Sequence, residues 1–429
     1  MEREEWRPFL KRWSEEWITA HDPEQDRPLA EDVVRDAWLG FAPASADEVA
    51  AAEARLGCSL PPSLREFLLV TNGWWDAGNF IYRLASTTEL DWLRDTDDAQ
   101  WIEAYSELDD GGVLGRSLRL SLAGDAAVLF LDPDDVDDNG EWAGYWLASW
   151  SGMGPERHGS FYDLMYHLYA SFHDLRRPEG QTRERWDAKV EQARLAALAG
   201  RIDEPLAVLE QAQAFGRDRA GLLRFQLLAM LGDWHTLPLS HVVLIKERAG
   251  LLRDPLFTAE LLPLLLAEDR LTHRHDHFTL EHLLRTDPEP VQPLIAEYQA
   301  RLRDPGFRLR FGNPEFDAAV HRIIDRLTAH PAFQVPDPFT AGRSPPGLVR
   351  VSAVRSHPPG VVGVAEAEEI RRRLTDAAWP ELREAIGLWR PVSEDHIAPV
   401  VLFADPVLAE MLTPERGREI LSMRRGAPR

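Results

Sequence analysis

Apolar residues first recur at spacings of three and four. Trp6, Phe9, Leu10, Trp13 and Trp17 predict a helix with one apolar face. Val49, Ala52, Glu53 and Leu56 share helical spacing and predict a second helix, from Ala46 to Leu56. Ser45 and Glu48 form a capping box at its start, and Gly57 stops it. Pro61-Pro62 opens a third helix through Leu64, Phe67, Leu68 and Thr71. Asn72-Gly73 ends it, because both residues tolerate the left-handed conformation. The period then shortens. Phe80–Leu84 reads as a strand, and Leu118, Leu120 and Leu122 alternate with Arg119 and Ser121. Ala127–Leu131 is a continuous apolar run, as in a strand buried on both faces. The aromatic stretch Glu141–Trp150 is its partner, with 132–140 as the hairpin loop. Phe161, Leu164, Met165, Leu168 and Phe172 predict a closing helix.

Beyond residue 184 the pattern is helical. The phrase Leu195-Ala196-Ala197-Leu198-Ala199-Gly200 returns 32 residues later as Leu227-Leu228-Ala229-Met230-Leu231-Gly232. That interval is close to the tetratricopeptide period of about 34 residues, without its full consensus. A Pro/Gly-rich loop runs from Pro336 to Gly363, and helical signals return at 365–374, 379–389 and 406–421. Tryptophan marks a boundary: 12 of the 15 lie at or before Trp186. The polar connection 176–182 adjoins it. The expected organisation is α+β: a domain at 1–180 with a mainly antiparallel sheet flanked by helices, then an all-α, weakly tetratricopeptide-like region at 184–340. The last segment, 341–429, is a loop and helical tail packed on that region.

Charge narrows the function. The 429 residues carry a net charge of −23. A chain this acidic is unsuited to neutralising phosphates on nucleic acid or to docking on an anionic membrane. Cys58 is the single cysteine, so neither an intramolecular disulfide nor a multi-cysteine metal site is available. No basic-then-apolar leader opens the sequence, and no apolar run approaches the roughly 18 residues of a membrane span. The expected location is the cytoplasm.

The stretch Asp47-Glu48-Val49, Glu53, Leu56-Gly57-Cys58-Ser59-Leu60-Pro61, Leu64-Arg65-Glu66-Phe67-Leu68 and Thr71-Asn72-Gly73 resembles the opening of the SUKH superfamily. This group includes the fungal Smi/Knr-type cell-wall regulators and many bacterial immunity proteins. The later strands, the acidic hairpin, the Trp-bearing strand and the helix starting Ser160-Phe161 match in kind, so the resemblance covers roughly residues 36–175. Trp74-Trp75 departs from the family's Gly or single aromatic after Asn-Gly. The resemblance implies a non-enzymatic α/β binding domain. Bacterial members typically neutralise toxins by binding them, and fungal members act as interaction hubs.

Between Ser86 and Glu141 there are 16 acidic and 3 basic residues, a balance of −13. Asp97, Asp98, Asp109, Asp110, Asp134, Asp135, Asp137 and Asp138 are the candidate contacts for a basic protein partner such as a toxin domain. Trp74 and Trp75 are candidate interface anchors, one turned out and one turned in. The acidic run is not an EF-hand: with Asp135 first and Gly140 sixth, position twelve is Trp146 rather than a carboxylate. His273-Arg274-His275-Asp276-His277 is one residue short of the metallo-β-lactamase motif, although His273 and His277 would share a helix face. Cys58 reads as a small buried hydrophobe. Phosphate-loop, dinucleotide and hydrolase-elbow motifs are absent from the sequence, so no cofactor and no catalytic residue is assigned. The leading expectation is an immunity-type protein that neutralises a toxin by direct binding. The alternative is a regulatory scaffold binding through the helical region, and the third reading is a metal-dependent hydrolase at His273 and His277.

Overall fold

The structure is a computed structural model. It describes residues 5–24, 26–108, 112–234, 236, 239, 242, 248–271, 288–304, 306–333 and 364–426. The chain divides into two compact units, Met1–Trp186 with Ala214–Gly216 and Asp187–Gln213 with Arg217–Arg429.

The first unit begins with helices α1 (Trp6–Thr19), α2 (Glu31–Asp36), α3 (Ala46–Leu56) and α4 (Pro62–Val70). The predicted aromatic face of α1 is buried through Trp6, Phe9, Leu10, Trp13 and Trp17. Trp6 packs on Phe67, Phe161 and Tyr162, and its Nε1 donates to the Ser63 carbonyl at 3.1 Å. The start of α3 carries both halves of the Ser45–Glu48 capping box, and Gly57 closes it in the left-handed region at φ 76°. Of Asn72 and Gly73, which follow α4, only Gly73 takes a positive φ. Asn72 instead accepts the Thr87 backbone N–H through its side chain at 2.7 Å.

Two antiparallel sheets follow. Strands β1 (Trp74–Trp75), β2 (Ile81–Leu84) and β5 (Ser121–Gly124) form one in the order β1-β2-β5. Strands β3 (Asp91–Trp92), β4 (Leu118–Arg119), β6 (Ala127–Val136), β7 (Trp142–Ala148) and β8 (Glu156–His158) form the other, in the order β3-β4-β6-β7-β8. The alternation expected over 118–122 therefore breaks at Leu120, where the chain passes from one sheet to the other. Leu118 and Leu120 are buried, but Leu122 is only half-buried. Ser121 goes inside in its place, and its Oγ accepts the Leu129 N–H at 2.9 Å.

Strand β6 is buried on both faces, as its apolar run predicts. Val128 and Phe130 join Tyr145, Leu147, Leu93, Val113 and Leu114 in one core. Short helices α5 (Gln100–Ala104) and α6 (Val113–Arg116) cover that side. On the other side, helix α7 (Phe161–Arg176) approaches Gly144 closely. A Cβ there would lie 3.1 Å from Leu164 Cβ and from the Ser160 carbonyl oxygen. Strand β6 also runs further than its apolar stretch, through Val136, which shortens the expected 132–140 loop to a tight turn.

A buried carboxylate joins the first unit's helices. Glu16 of α1 is 6% exposed. It accepts hydrogen bonds from Tyr169 Oη, from His173 Nε2 at 3.0 Å and from the Thr182 N–H at 3.1 Å. Burial pushes its pKa up, but the bonds from His173 and Tyr169 outweigh that and hold it below the usual carboxylate range.

Among the described residues, the regular structure of the second unit is helical. Helix α8 (Gln181–Leu198) enters it, followed by α9 (Asp203–Ala214) and α10 (Asp218–Met230). The two glycines aligned by the 32-residue repeat both have positive φ, 96° at Gly200 and 75° at Gly232. The helix Pro414–Ser422 passes both: Gly200 abuts the Ser422 carbonyl, and a Cβ on Gly232 would lie 2.9 Å from Pro414 Cγ. Between them Gly417 lies against the Met230 carbonyl oxygen with no space for a Cβ. The helix Val364–Ala385 packs on the helix Pro314–Thr328, with Arg326 paired to Glu381 at 2.7 Å. Among the described residues, no helix is long and apolar enough to cross a membrane.

Gly417→Ala should cost about 3 kcal/mol or more by forcing two backbones apart. Calorimetric unfolding of the full chain should show the loss, and an unchanged profile would contradict the close crossing. Glu16→Gln should destabilise by about 2–3 kcal/mol. Because the Glu16 pKa is depressed in the folded state, its contribution is full above pH 4.5 and lost as pH falls through the lowered value. The variant should therefore show a flatter loss of stability below pH 4.5, read by tryptophan fluorescence during denaturant titration.

Candidate protein-binding face

The acidic hairpin is built on the longest strand pairing of the fold. Strands β6 and β7 pair from Ala127↔Ala148 to Asp132↔Ala143, then skip to Val136↔Trp142. At the tip, the Asp137 N–H donates to the Glu141 carbonyl at 2.9 Å and the Gly140 N–H to the Asp137 carbonyl at 3.0 Å. Gly140 takes φ 79°, which a side chain would disfavour. Asp137 accepts the Asn139 and Glu141 N–H groups at 2.8 and 2.9 Å, and the Glu141 N–H bond leads the causes that hold its pKa low. Glu141 turns inward. It is 4% exposed and accepts the Ser63 N–H at 3.1 Å and Oγ at 2.5 Å at the start of α4, where the helix dipole favours a carboxylate.

Arginines hold much of the remaining charge. Asp132 is buried and receives a two-pronged contact from Arg116, at 2.7 and 2.6 Å. Arg116 also lies 3.3 Å from the exposed Asp134 carboxylate. Asp135 binds Arg157 at 2.6 and 2.8 Å and accepts the Tyr145 hydroxyl at 3.2 Å; the Arg157 bond is the main reason its pKa is lowered. Asp98 pairs with Arg119 at 2.9 Å, while Asp97 is exposed in the same short turn. Asp138 is exposed at the hairpin tip. Asp109 and Asp110 lie outside the described residues, as do His273 and His277.

The two tryptophans separate. Trp74 is wholly buried among Trp13, Trp38 and Phe67, so it is a core side chain and does not face a partner. Trp75 is half-buried in β1 rather than in a turn. It packs on Phe41 at 5.4 Å, and the Arg83 guanidinium lies over both rings at 5.4 and 5.7 Å. Arg83 also pairs with Glu89 at 2.7 Å. This Trp75–Phe41–Arg83 stack is a second candidate contact, of the residue types that dominate interfaces. The sequence does not disclose it, because Arg83 meets Trp75 only through the pairing of β1 with β2 and Phe41 lies well upstream. Trp75 belongs to the three-stranded sheet and the hairpin to the five-stranded one. Cys58 is half-buried rather than buried, and burial followed by the charge of Glu53 raises its pKa, the opposite of an activated thiol.

Helices α3 and α4, the antiparallel sheets and the closing α7 define an α+β domain. Residues 43–176 match the SMI1 / KNR4 family (SUKH-1), and that stretch of the chain is a SUKH domain. Comparison with curated proteins and with solved structures returns no match.

Arg116→Ala should leave the Asp132 carboxylate buried without its cation and cost about 3 kcal/mol. Arg116→Lys should recover only part of this, since an ammonium lacks the two-pronged geometry. Denaturant titration of the three proteins checks the order; equal stability of all three would show that the pair carries no such burden.

Proposed function

We propose that the protein is a non-enzymatic binding protein of the immunity type, which neutralises a basic toxin domain by covering it. The observation that supports this reading most is the SUKH domain at 43–176 with its hairpin tip, where Asp137 and Asp138 are exposed on a turn fixed by its own hydrogen bonds. Such a tip meets a basic surface without first having to be ordered. The domain's acidic field would speed encounter and discriminate against acidic competitors. The mechanism is steric and electrostatic blockade, so no catalytic group is required. The expected location is the cytoplasm, where the toxin would act.

The contact set is narrower than the acidic run. Asp135 and Asp98 are committed to Arg157 and Arg119 and Asp134 shares Arg116, which leaves Asp97, Asp137 and Asp138 as the charges presented outward. A cut near residue 180 is not a clean test of the domain. Thr182, Trp186 and Phe215 complete the first unit: Thr182 bonds Glu16, and Phe215 packs on Trp186, Tyr166 and Tyr169.

The test therefore uses the intact chain. A partner captured from source-cell lysate is purified, and its association with wild type and with Asp137→Asn/Asp138→Asn is followed at several salt concentrations. A basic partner whose association slows at least about threefold in the variant at low salt, with a shallower salt dependence, supports the reading. Identical rates at low salt would remove the hairpin from the interface. A partner held equally well by the variant and lost on substituting helical residues beyond 187 would favour the scaffold alternative.

A further inference from the structure

Strand β8 forms an end of the five-stranded sheet and pairs with β7 through Gly144↔His158, Tyr145↔Arg157 and Trp146↔Glu156. Strand alternation puts Glu156 and His158 on one face and Arg157, which reaches Asp135, on the other. The first of these faces is the one that α7 covers at Gly144, and α7 carries His167. The His158 and His167 rings lie 4.5 Å apart, inclined at 41°. The Glu156 Oε1 is 3.7 Å from His158 Nε2 and 4.0 Å from His167 Nδ1. One ligand atom from each of the three residues falls within 4.8 Å of the others. These separations are too long for hydrogen bonds. The His158 side chain is 11% exposed, and its Nε2 is buried without a hydrogen-bond partner. Left so, that buried nitrogen has given up its hydration without replacement.

We propose that Glu156, His158 and His167 bind a divalent transition-metal ion, with zinc the ion their donors suit. Two imidazole nitrogens and one carboxylate oxygen are a recognised three-ligand zinc set, which leaves the fourth position to water. Zinc bonds of about 2.0–2.2 Å in a tetrahedron hold the donor atoms roughly 3.4 Å apart. Glu156 lies 3.7 and 4.0 Å from the two nitrogens and all three donor atoms lie within 4.8 Å of one another, so the triad must contract by roughly 0.3–1.4 Å to reach that spacing, through side-chain rotation of the exposed Glu156 and the half-exposed His167. The ion gives His158 Nε2 the partner that the protein does not. Glu156 and the half-exposed His167 leave an entry path from solvent. The ion would also fasten the end strand to the helix behind it. The inference is independent of the acidic hairpin, since Arg157 and Asp135 lie on the opposite face.

The experiment uses the tag-free full chain carrying His273→Ala, His275→Ala and His277→Ala, which removes the other histidine cluster. Equilibrium dialysis against zinc chloride, followed by metal analysis, gives the stoichiometry. Thermal unfolding with and without zinc gives a second readout through linkage. One zinc per chain and a zinc-dependent rise in Tm are expected. His167→Ala and Glu156→Gln, added separately, should each weaken binding at least tenfold and abolish the Tm rise. Neither change should lower Tm in the absence of metal. His167 is half-exposed, so its variant tests ligation without emptying the core. Failure of the triple variant to bind zinc, or binding unaffected by both substitutions, would overturn the proposal.

Discussion

The first unit depends on the buried carboxylate of Glu16. Taking a charge out of water costs several kcal/mol unless donors replace the lost hydration. Here the donors come from Tyr169 and His173 on α7 and from the Thr182 backbone at the start of α8. They meet only when three helices lie in one arrangement. The aromatic packing follows from it: Trp13 on Tyr169, Trp17 on Phe172 and Phe9 on Tyr169 are contacts between the same two helices. Helix α1 precedes the family match at 43–176, yet it supplies much of this core. The SUKH domain in this chain is therefore built into a larger unit, closed from outside by α1, Trp186 and Phe215.

The second unit applies the same principle. Gln226 is wholly buried; its side-chain oxygen accepts the Ile397 and Ala398 N–H groups, and its nitrogen donates to the Leu222 and Asp395 carbonyls. Glu260, in a single π-helical turn, accepts the Val401 N–H at 2.6 Å and faces His396 at 3.0 Å. Arg425 is 4% exposed, and burial lowers its pKa to about 10. Its guanidinium donates to the carbonyls of Ala197, Ile397, Ile420 and Met423. Each group ties segments far apart in sequence, and each makes these bonds only in one packing. Apolar burial supplies the driving force, while these groups select the arrangement.

Local chemistry was legible in the sequence and tertiary pairing was not. The ends of α3 follow from Ser45, Glu48 and Gly57, whose effects act within one turn. The family motif is carried by the same capping and turn residues, which is why it reads through. The sheet change at Leu120 is invisible because 118–122 alternates as one strand would; only the pairing of β4 with β6 and of β5 with β2 divides it. Burial of Trp74 depends on Trp13 and Trp38, well upstream. The acidic run reads as a uniform charged face, but Arg83 and Arg157 lie outside the run and neutralise members of it. Glu156, His158 and His167 are likewise gathered by a strand and a helix rather than by sequence spacing.

Those pairings also decide what the hairpin presents. An ion pair cancels the near field of its two members, so Asp132 and Asp135 contribute mainly to holding the strands. The far field follows net charge, which stays strongly negative over this stretch, and under the proposed reading that field would govern encounter with a basic partner. Under the proposed reading, contact specificity would rest on the outward carboxylates at the tip. Their geometry is fixed twice: by the Asp137 turn and by Glu141, which anchors the end of that turn to α4 at Ser63. A loop of equal charge without that anchor would have to be ordered on contact, at a cost of about 0.5–1.5 kcal/mol for each long side chain it immobilised. Residues that look alike in the sequence thus divide into those that build the projection and those that it displays.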